Sequence, residues 1–135
     1  VDGDFERGLR VCGLYLADCL HLRNNLLSVL SAGWEYFEVP TIPFAVTWPL
    51  VCSICMGSIE DGVTIELAAV VADAEGKEVH RQQFNVARSL GSKVSFCHFF
   101  TNLTFSVASA GIYSIAITSG PATLAEIPIE VRQRT

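Results

Sequence analysis

The chain has 135 residues, of which 50% are apolar and 17% charged, with a mean hydropathy of +0.40. Disorder needs low hydrophobicity and high charge, so this composition excludes it and supplies enough apolar side chain for one core. Nine Lys and Arg against fourteen Asp and Glu give a net charge of -5; with so few cations to neutralise phosphates, the chain is expected to bind neither nucleic acid nor a membrane.

In chain order, residues 1–8 open on the acidic run Val1-Asp2-Gly3-Asp4-Phe5-Glu6. This run lacks the basic head of a signal peptide and reads as a disordered or extended lead at a trimmed or processed start, with residues 9–135 forming one domain. Leu14 to Ala32 contains neither Gly nor Pro and could be a helix ending at Gly33. Against that, Cys12, Leu14, Leu16, Leu20 and Leu22 share one parity, Asn24-Asn25 is a tight-turn dipeptide, and Val29, Trp34, Tyr36, Phe37 and Val39 are strand formers. The favoured reading is a long opening hairpin, Val11 to Val39, turning at Asn24-Asn25. Asp18 falls on its apolar parity and requires a bulge or a buried, hydrogen-bonded carboxylate.

The uncharged stretch Val39 to Ile59 is as long as a membrane span, but Pro40, Pro43 and Pro49 would break a spanning helix. Thr41 to Pro49 is read instead as a connector between sheets, and Leu50, Cys52, Ile54 and Met56 as the next strand. Gly57-Ser58 and Glu60-Asp61-Gly62 end that strand. Val63, Ile65, Leu67, Ala69 and Val71 alternate with polar residues, as in a half-buried strand, and Asp73-Ala74-Glu75-Gly76-Lys77 turns the chain. The return strand, Glu78 to Val86, is polar enough for an edge. After a loop at Ser89 to Lys93, the run Val94 to Val107 changes phase. Val94, Phe96 and Phe100 share one parity, whereas Leu103, Phe105 and Val107 share the other, which predicts a bulge near Phe99 to Asn102. Ile112 to Thr118 and Ala125 to Val131 form a closing pair, in which Pro128 requires an edge or an outward-turned missing donor. About eight strands with no convincing helix indicate an all-β, two-sheet sandwich.

The opening hairpin, the connector Val39-Pro40-Thr41-Ile42-Pro43 with Trp48-Pro49-Leu50, the turn Asp73 to Lys77 and the closing Ala110-Gly111-Ile112-Tyr113-Ser114 to Val131 together resemble a bacterial β-sandwich family of unknown function with immunoglobulin-like character. The resemblance spans nearly the whole chain. It implies an immunoglobulin-like sandwich and brings no activity, cofactor or catalytic motif.

Five cysteines, an odd number, fit a complete disulfide framework poorly. Cys12, Cys19, Cys52, Cys55 and Cys97 are expected to be mostly free, buried thiols of a reducing cytoplasm, where the sequon Asn102-Leu103-Thr104 has no role. Cys52-Ser53-Ile54-Cys55 has the spacing of a redox pair or half a zinc site, whose second half would have to come from Cys97 and His98 or from Cys12 and Cys19. In a strand, however, residues three apart face opposite ways. A nucleophilic set of Cys97, His80 and Asp18 can be written down but lacks any local motif, and His80 is expected to be solvent-exposed. Asp2, Asp4 and Glu6, like Glu60-Asp61, lack the ligand offsets of a calcium loop. No catalytic residue, metal site or cofactor is therefore expected.

Trp34, Tyr36, Phe44 and Trp48 form the distinctive aromatic group, and both parities of Leu26 to Val39 are apolar. The sandwich covers one face of the opening hairpin, and the other is left for a partner, a symmetric copy or the Pro-rich connector folded over it. The expected role is a non-catalytic protein-binding or self-assembly module, homo-oligomeric or serving a partner encoded nearby, with these four aromatics as interface candidates. The rival is a thiol- or metal-dependent small enzyme, or a zinc protein, centred on Cys52, Cys55 and Cys97.

Overall fold

Alternating apolar and polar residues bounded by Gly, Pro and Asp build strands throughout the computed structural model, which describes residues 9–23, 26–30, 33–57, 62–87 and 96–134. The strands are β1 (Arg10–Leu16), β2 (Cys19–Arg23), β3 (Leu26–Leu30), β4 (Tyr36–Val39), β5 (Phe44–Cys55), β6 (Thr64–Ala72), β7 (Glu78–Ala87), β8 (Phe96–Val107), β9 (Gly111–Ser119) and β10 (Ala122–Gln133). Eight of them form a sandwich, with a three-stranded sheet ordered β1-β5-β8 and a five-stranded sheet ordered β4-β10-β9-β6-β7. The fold is all-β and immunoglobulin-like. No helix among the described residues is long and apolar enough to cross a membrane.

The core lies between the two sheets. From the three-stranded sheet come Leu16, Val46, Trp48, Leu50, Ile54 and Leu103; Leu67, Tyr113, Ile115, Ile117 and Ile129 meet them from the other sheet. Trp48 is fully buried at the centre of an aromatic group, edge-on to Phe105 at 4.9 Å and to Phe37 at 5.6 Å, with Trp34 and Tyr113 beyond. Tyr113 donates its hydroxyl proton to the Ser109 carbonyl at 2.8 Å, fixing the entry into β9 as the tyrosine corner does in immunoglobulin-like sandwiches.

The Asp73–Lys77 turn forms as expected. Asp73 Oδ1 accepts from the N–H groups of Glu75 and Lys77, and Gly76 sits at φ 83°. Gly111 is required for a second reason: at φ 136°, a Cβ there would lie 2.6 Å from that of Ala74. β7 is an edge strand, as its polarity indicated. Pro128 lies in β10 just before β4 joins at Glu130. Glu130 donates its N–H to the Glu35 carbonyl, and two residues earlier the same direction is occupied by the proline nitrogen.

Four details differ from expectation. The opening hairpin is shorter than Val11 to Val39. β2 and β3 pair as a hairpin with Arg23 opposite Leu26, Asn24-Asn25 between them falling outside the described residues. β1 instead pairs with β5, and β4 runs parallel to β10. A long ribbon with two apolar faces buries more by dividing its ends between the sheets than by standing alone. Asp18 is neither bulged nor buried, because the chain leaves the sheet after Ala17, whose N–H donates to the Pro49 carbonyl. The connector is also shorter: β5 already begins at Phe44, following the cis Ile42–Pro43 bond. Finally, β8 pairs with β5 in unbroken register from Phe96 to Val107, without the bulge predicted near Phe99 to Asn102. Residues 1–8, Ser58, Glu60-Asp61, Ser89 to Lys93 and Val94 lie outside the described residues.

Trp48→Ala removes the central ring of this packing and is expected to cost about 3–5 kcal/mol. Ile112→Ser, at a side chain that is 65% exposed, is expected to change stability by less than about 0.5 kcal/mol. Urea denaturation of the two variants checks both values.

Candidate interaction surface

An unbroken register through a phase change in the sequence has one consequence: some large apolar residues of β8 must point outward. Cys97, Phe99, Leu103, Phe105 and Val107 face the core side, and Phe96 and Phe100 point to solvent at 48% and 38% exposure. On β5, residues 44 to 54 of even number face inward. Val51 and Ser53 therefore belong to the outer face, yet they are only 0% and 7% exposed.

The cover comes from the neighbouring strands. Val51 is paired with Tyr15 of β1 on one side and Phe100 of β8 on the other, a row of two rings with a valine between. Ser53 is paired with Gly13 and His98, and its Oγ lies 2.8 Å from His98 Nδ1. Phe96 stands edge-on to the His98 ring at 4.8 Å. Beyond Pro49 the same face becomes polar, with Thr47 and Thr104 sharing a hydroxyl contact at 3.3 Å. Where the β2–β3 hairpin leaves the sheet, a groove of about 520 Å³ opens between Asp18, Cys19, Pro49, Phe100, Thr101 and Asn102.

Cys12 and Cys55 form a disulfide across β1 and β5, with Cα atoms 6.4 Å apart, and Cys12 is the extra residue of a bulge between Val11 and Gly13. These two cysteines depart from the expectation of mostly free thiols, and the other three are not bridged. The bulge offsets the strands so that two cysteines not directly opposed can meet. Cys52 and Cys97 remain thiols on the inner side of the sheet. Burial pushes the Cys52 thiol from its ordinary 9.0 up to about 12, with Cys97 beside it adding to the shift, and burial also raises Cys97.

The metal-ligand candidates thus divide: Cys52 and Cys97 lie inside, whereas Cys55 is bridged and His98 is bound to Ser53 on the outside. The described residues contain no cluster of three or more His, Cys, Asp or Glu placed to share a metal ion. The written-down set of Cys97, His80 and Asp18 does not assemble either. His80 stacks near Phe105, eight positions along β8 from Cys97, and Asp18 lines the groove. His80 is also not the solvated residue expected, since its Nε2 is buried without a hydrogen-bond partner. The Ser53–His98 pair is a cross-strand hydrogen bond in the middle of a ladder, the geometry of sheet stabilisation.

The four aromatic interface candidates also divide. Trp48 is fully buried in the core, which corrects its place among the interface candidates, and Phe44 is half-buried against that core. Trp34 is half-buried, stacks on Phe37 and lines a shallow groove of about 300 Å³ with Ile112 and Pro128. Tyr36 is 47% exposed, with the Arg132 guanidinium 4.0 Å above its ring. Phe96, Phe100 and Tyr15 were not among the candidates. The signal that could have found them was the phase change itself.

A family model described as a family of unknown function (DUF6941) matches residues 13–132. The chain belongs to this family. No curated protein matches its sequence. Among solved structures, an immunoglobulin-like protein from Pseudomonas aeruginosa is similar over 92% of this chain and 96% of its own, at 11% identity and a TM-score of 0.46. A β-glucosidase from Listeria innocua is similar over 89% of this chain at 12% identity and a TM-score of 0.51. The match takes in 16% of the glucosidase and bears on fold alone.

Suppressed ionisation of the buried Cys52 thiol makes stability pH-dependent. Below the ordinary value of 9.0 Cys52 is neutral in both states, and its contribution is fully present; between there and about 12 only the unfolded chain releases the proton, so stability falls as pH rises. Urea denaturation between about pH 8 and pH 10.5 should show a steeper loss for the wild type than for Cys52→Ala.

Proposed function

We propose that this chain is a non-catalytic protein-binding module that docks through the outer face of the three-stranded sheet. The observation that carries this reading is the pairing of Phe96 and Phe100, both exposed, with an outer face already buried beneath them at Val51 and Ser53. Single exposed apolar residues are ordinary on a protein surface, whereas a contiguous apolar patch with a polar margin marks a contact surface. Its chemistry, two phenylalanines and a tyrosine around a serine and a histidine, suits a neutral apolar protein surface. No charged group lies within the central rows, where a charged partner would be bound.

The Cys12–Cys55 bridge supports an oxidising compartment over the reducing cytoplasm expected from the cysteine count, because structural disulfides persist where thiols are not kept reduced. It closes a 43-residue separation that includes β2, β3 and β4, a constraint worth about 4 kcal/mol on loop entropy. The rival thiol enzyme gains no support, since one of its three cysteines is bridged, and burial of Cys52 and partial burial of Cys97 oppose formation of their thiolates.

Two experiments bear on these readings. A photo-cross-linking amino acid at position 96 or 100, in the cell of origin, should capture a defined protein that the same probe at Asn85 of β7 does not. Purified, that protein should bind Phe100→Asp about tenfold more weakly than wild type. Absence of a specific adduct at both positions would remove the reading. For the compartment, alkylation of freshly lysed cells before any reductant should leave Cys12 and Cys55 unmodified; alkylated Cys12 would return the chain to a reducing compartment.

A further inference from the structure

The occupant of the outer face can be named from the pattern of its surface, and the inference rests on the docking reading above. The face is crossed by rows that run perpendicular to the strands. One row, Tyr15–Val51–Phe100, is a ridge of two rings. The adjacent row, Gly13–Ser53–His98, has no side chain at one position and a small one at the next. A Cβ at Gly13 would fit without displacing a neighbour, making only ordinary contacts of 3.5 Å to Ser53 and 3.8 Å to Tyr15. The result is a ridge beside a furrow.

The outer rows carry charge. Arg10, opposite Cys55, stands at one end of the patch, and Asp18, in the groove beside Pro49 and Asn102, stands at the other. Both are exposed, and neither makes an ion pair among the described residues. Each end of the patch therefore holds the charge that the other end would attract.

We infer that the partner is a second copy of this chain, stacked face to face with its strands antiparallel to the first. A two-fold axis lying between the sheets and perpendicular to the strands, passing between the Ser53 and Val51 rows, sets the ridge of each copy into the furrow of the other. The same rotation brings Arg10 of each copy to Asp18 of its mate. An axis parallel to the strands would instead leave both Arg10 side chains at the same end of the contact, away from either Asp18. The charges thus select one of the two symmetric stackings, and the Gly13 furrow makes that stacking fit. The patch measures roughly 15 Å by 25 Å from strand spacing and rise. This places the contact among weak, transient pairs, with association expected at ~10–100 μM.

Sedimentation equilibrium of the full chain over ~5–300 μM at low salt tests the inference. The wild type should approach a dimer across this range. Phe100→Asp and Gly13→Leu should each raise the dissociation constant by about tenfold or more, Gly13→Leu with an unchanged melting temperature because it fills only the furrow. Arg10→Asp and Asp18→Arg should each weaken the dimer about threefold to tenfold, and the double charge swap should restore it. A wild type that is monomeric throughout, a dimer indifferent to Phe100→Asp, or a double swap no tighter than either single change would overturn the inference. Should the chain be monomeric while the cross-link at positions 96 and 100 captures a different protein, self-association fails and the docking surface stands.

Discussion

Leu50 to Ile54 of β5 are all buried, and a strand can bury consecutive residues only when both of its faces are covered. The inner cover is the aromatic group around Trp48 and the facing five-stranded sheet. The outer cover comes from the neighbouring strands. Tyr15 and Phe100 close over Val51 from either side, Gly13 leaves room for Ser53, and His98 caps the serine hydroxyl. Most of the molecule's particular features follow from this demand, including the bulge at Cys12 that brings β1 across and the position of two phenylalanines in solvent.

The parts of the fold that were legible in the sequence are those where one rule acted alone. Alternation from Thr64 to Ala72, the Asp73–Lys77 turn and the polar edge of β7 each depend on local residues, and each forms as read. The opening forty residues were less legible because two long apolar strands satisfy the hairpin pattern whether they pair with each other or with distant partners. Strand β1 chooses β5, some forty positions away along the ladder, and no periodicity within Val11 to Val39 records that choice.

The same ambiguity concealed the candidate surface. A switch of hydrophobic parity has two physical causes: a bulge that turns the strand over, or a straight strand with apolar residues on both faces. Taking the first at β8 assigns every phenylalanine to the core. The ladder with β5 shows the second, through twelve consecutive pairs from Phe44↔Val107 to Cys55↔Phe96. Trp34, Tyr36, Phe44 and Trp48 drew attention as a cluster in sequence, but clustering in sequence says little about facing in space. Trp48 is even-numbered on β5 and turns inward, whereas Phe100 lies across from an odd-numbered residue and turns outward.

Cys52, Cys55 and Cys97 obey that parity as well, and it separates them. Cys52 and Cys55 are three apart and fall on opposite faces; the first joins Cys97 in the interior, and the second reaches Cys12 on the outside. Apolar burial opposes thiolate formation, so the inner pair has the electrostatics of packing rather than of catalysis. The outer pair ties an edge strand to the centre of the sheet beside the aromatic rows, where fraying of β1 would remove Tyr15 from Val51. The proposed binding face, built on the flat side of a three-stranded sheet, has no walls to position it, unlike a pocket. Its rigidity has to come from the strands beneath, and the disulfide, the Ser53–His98 bond and the doubly covered β5 all fall under this one half of the face.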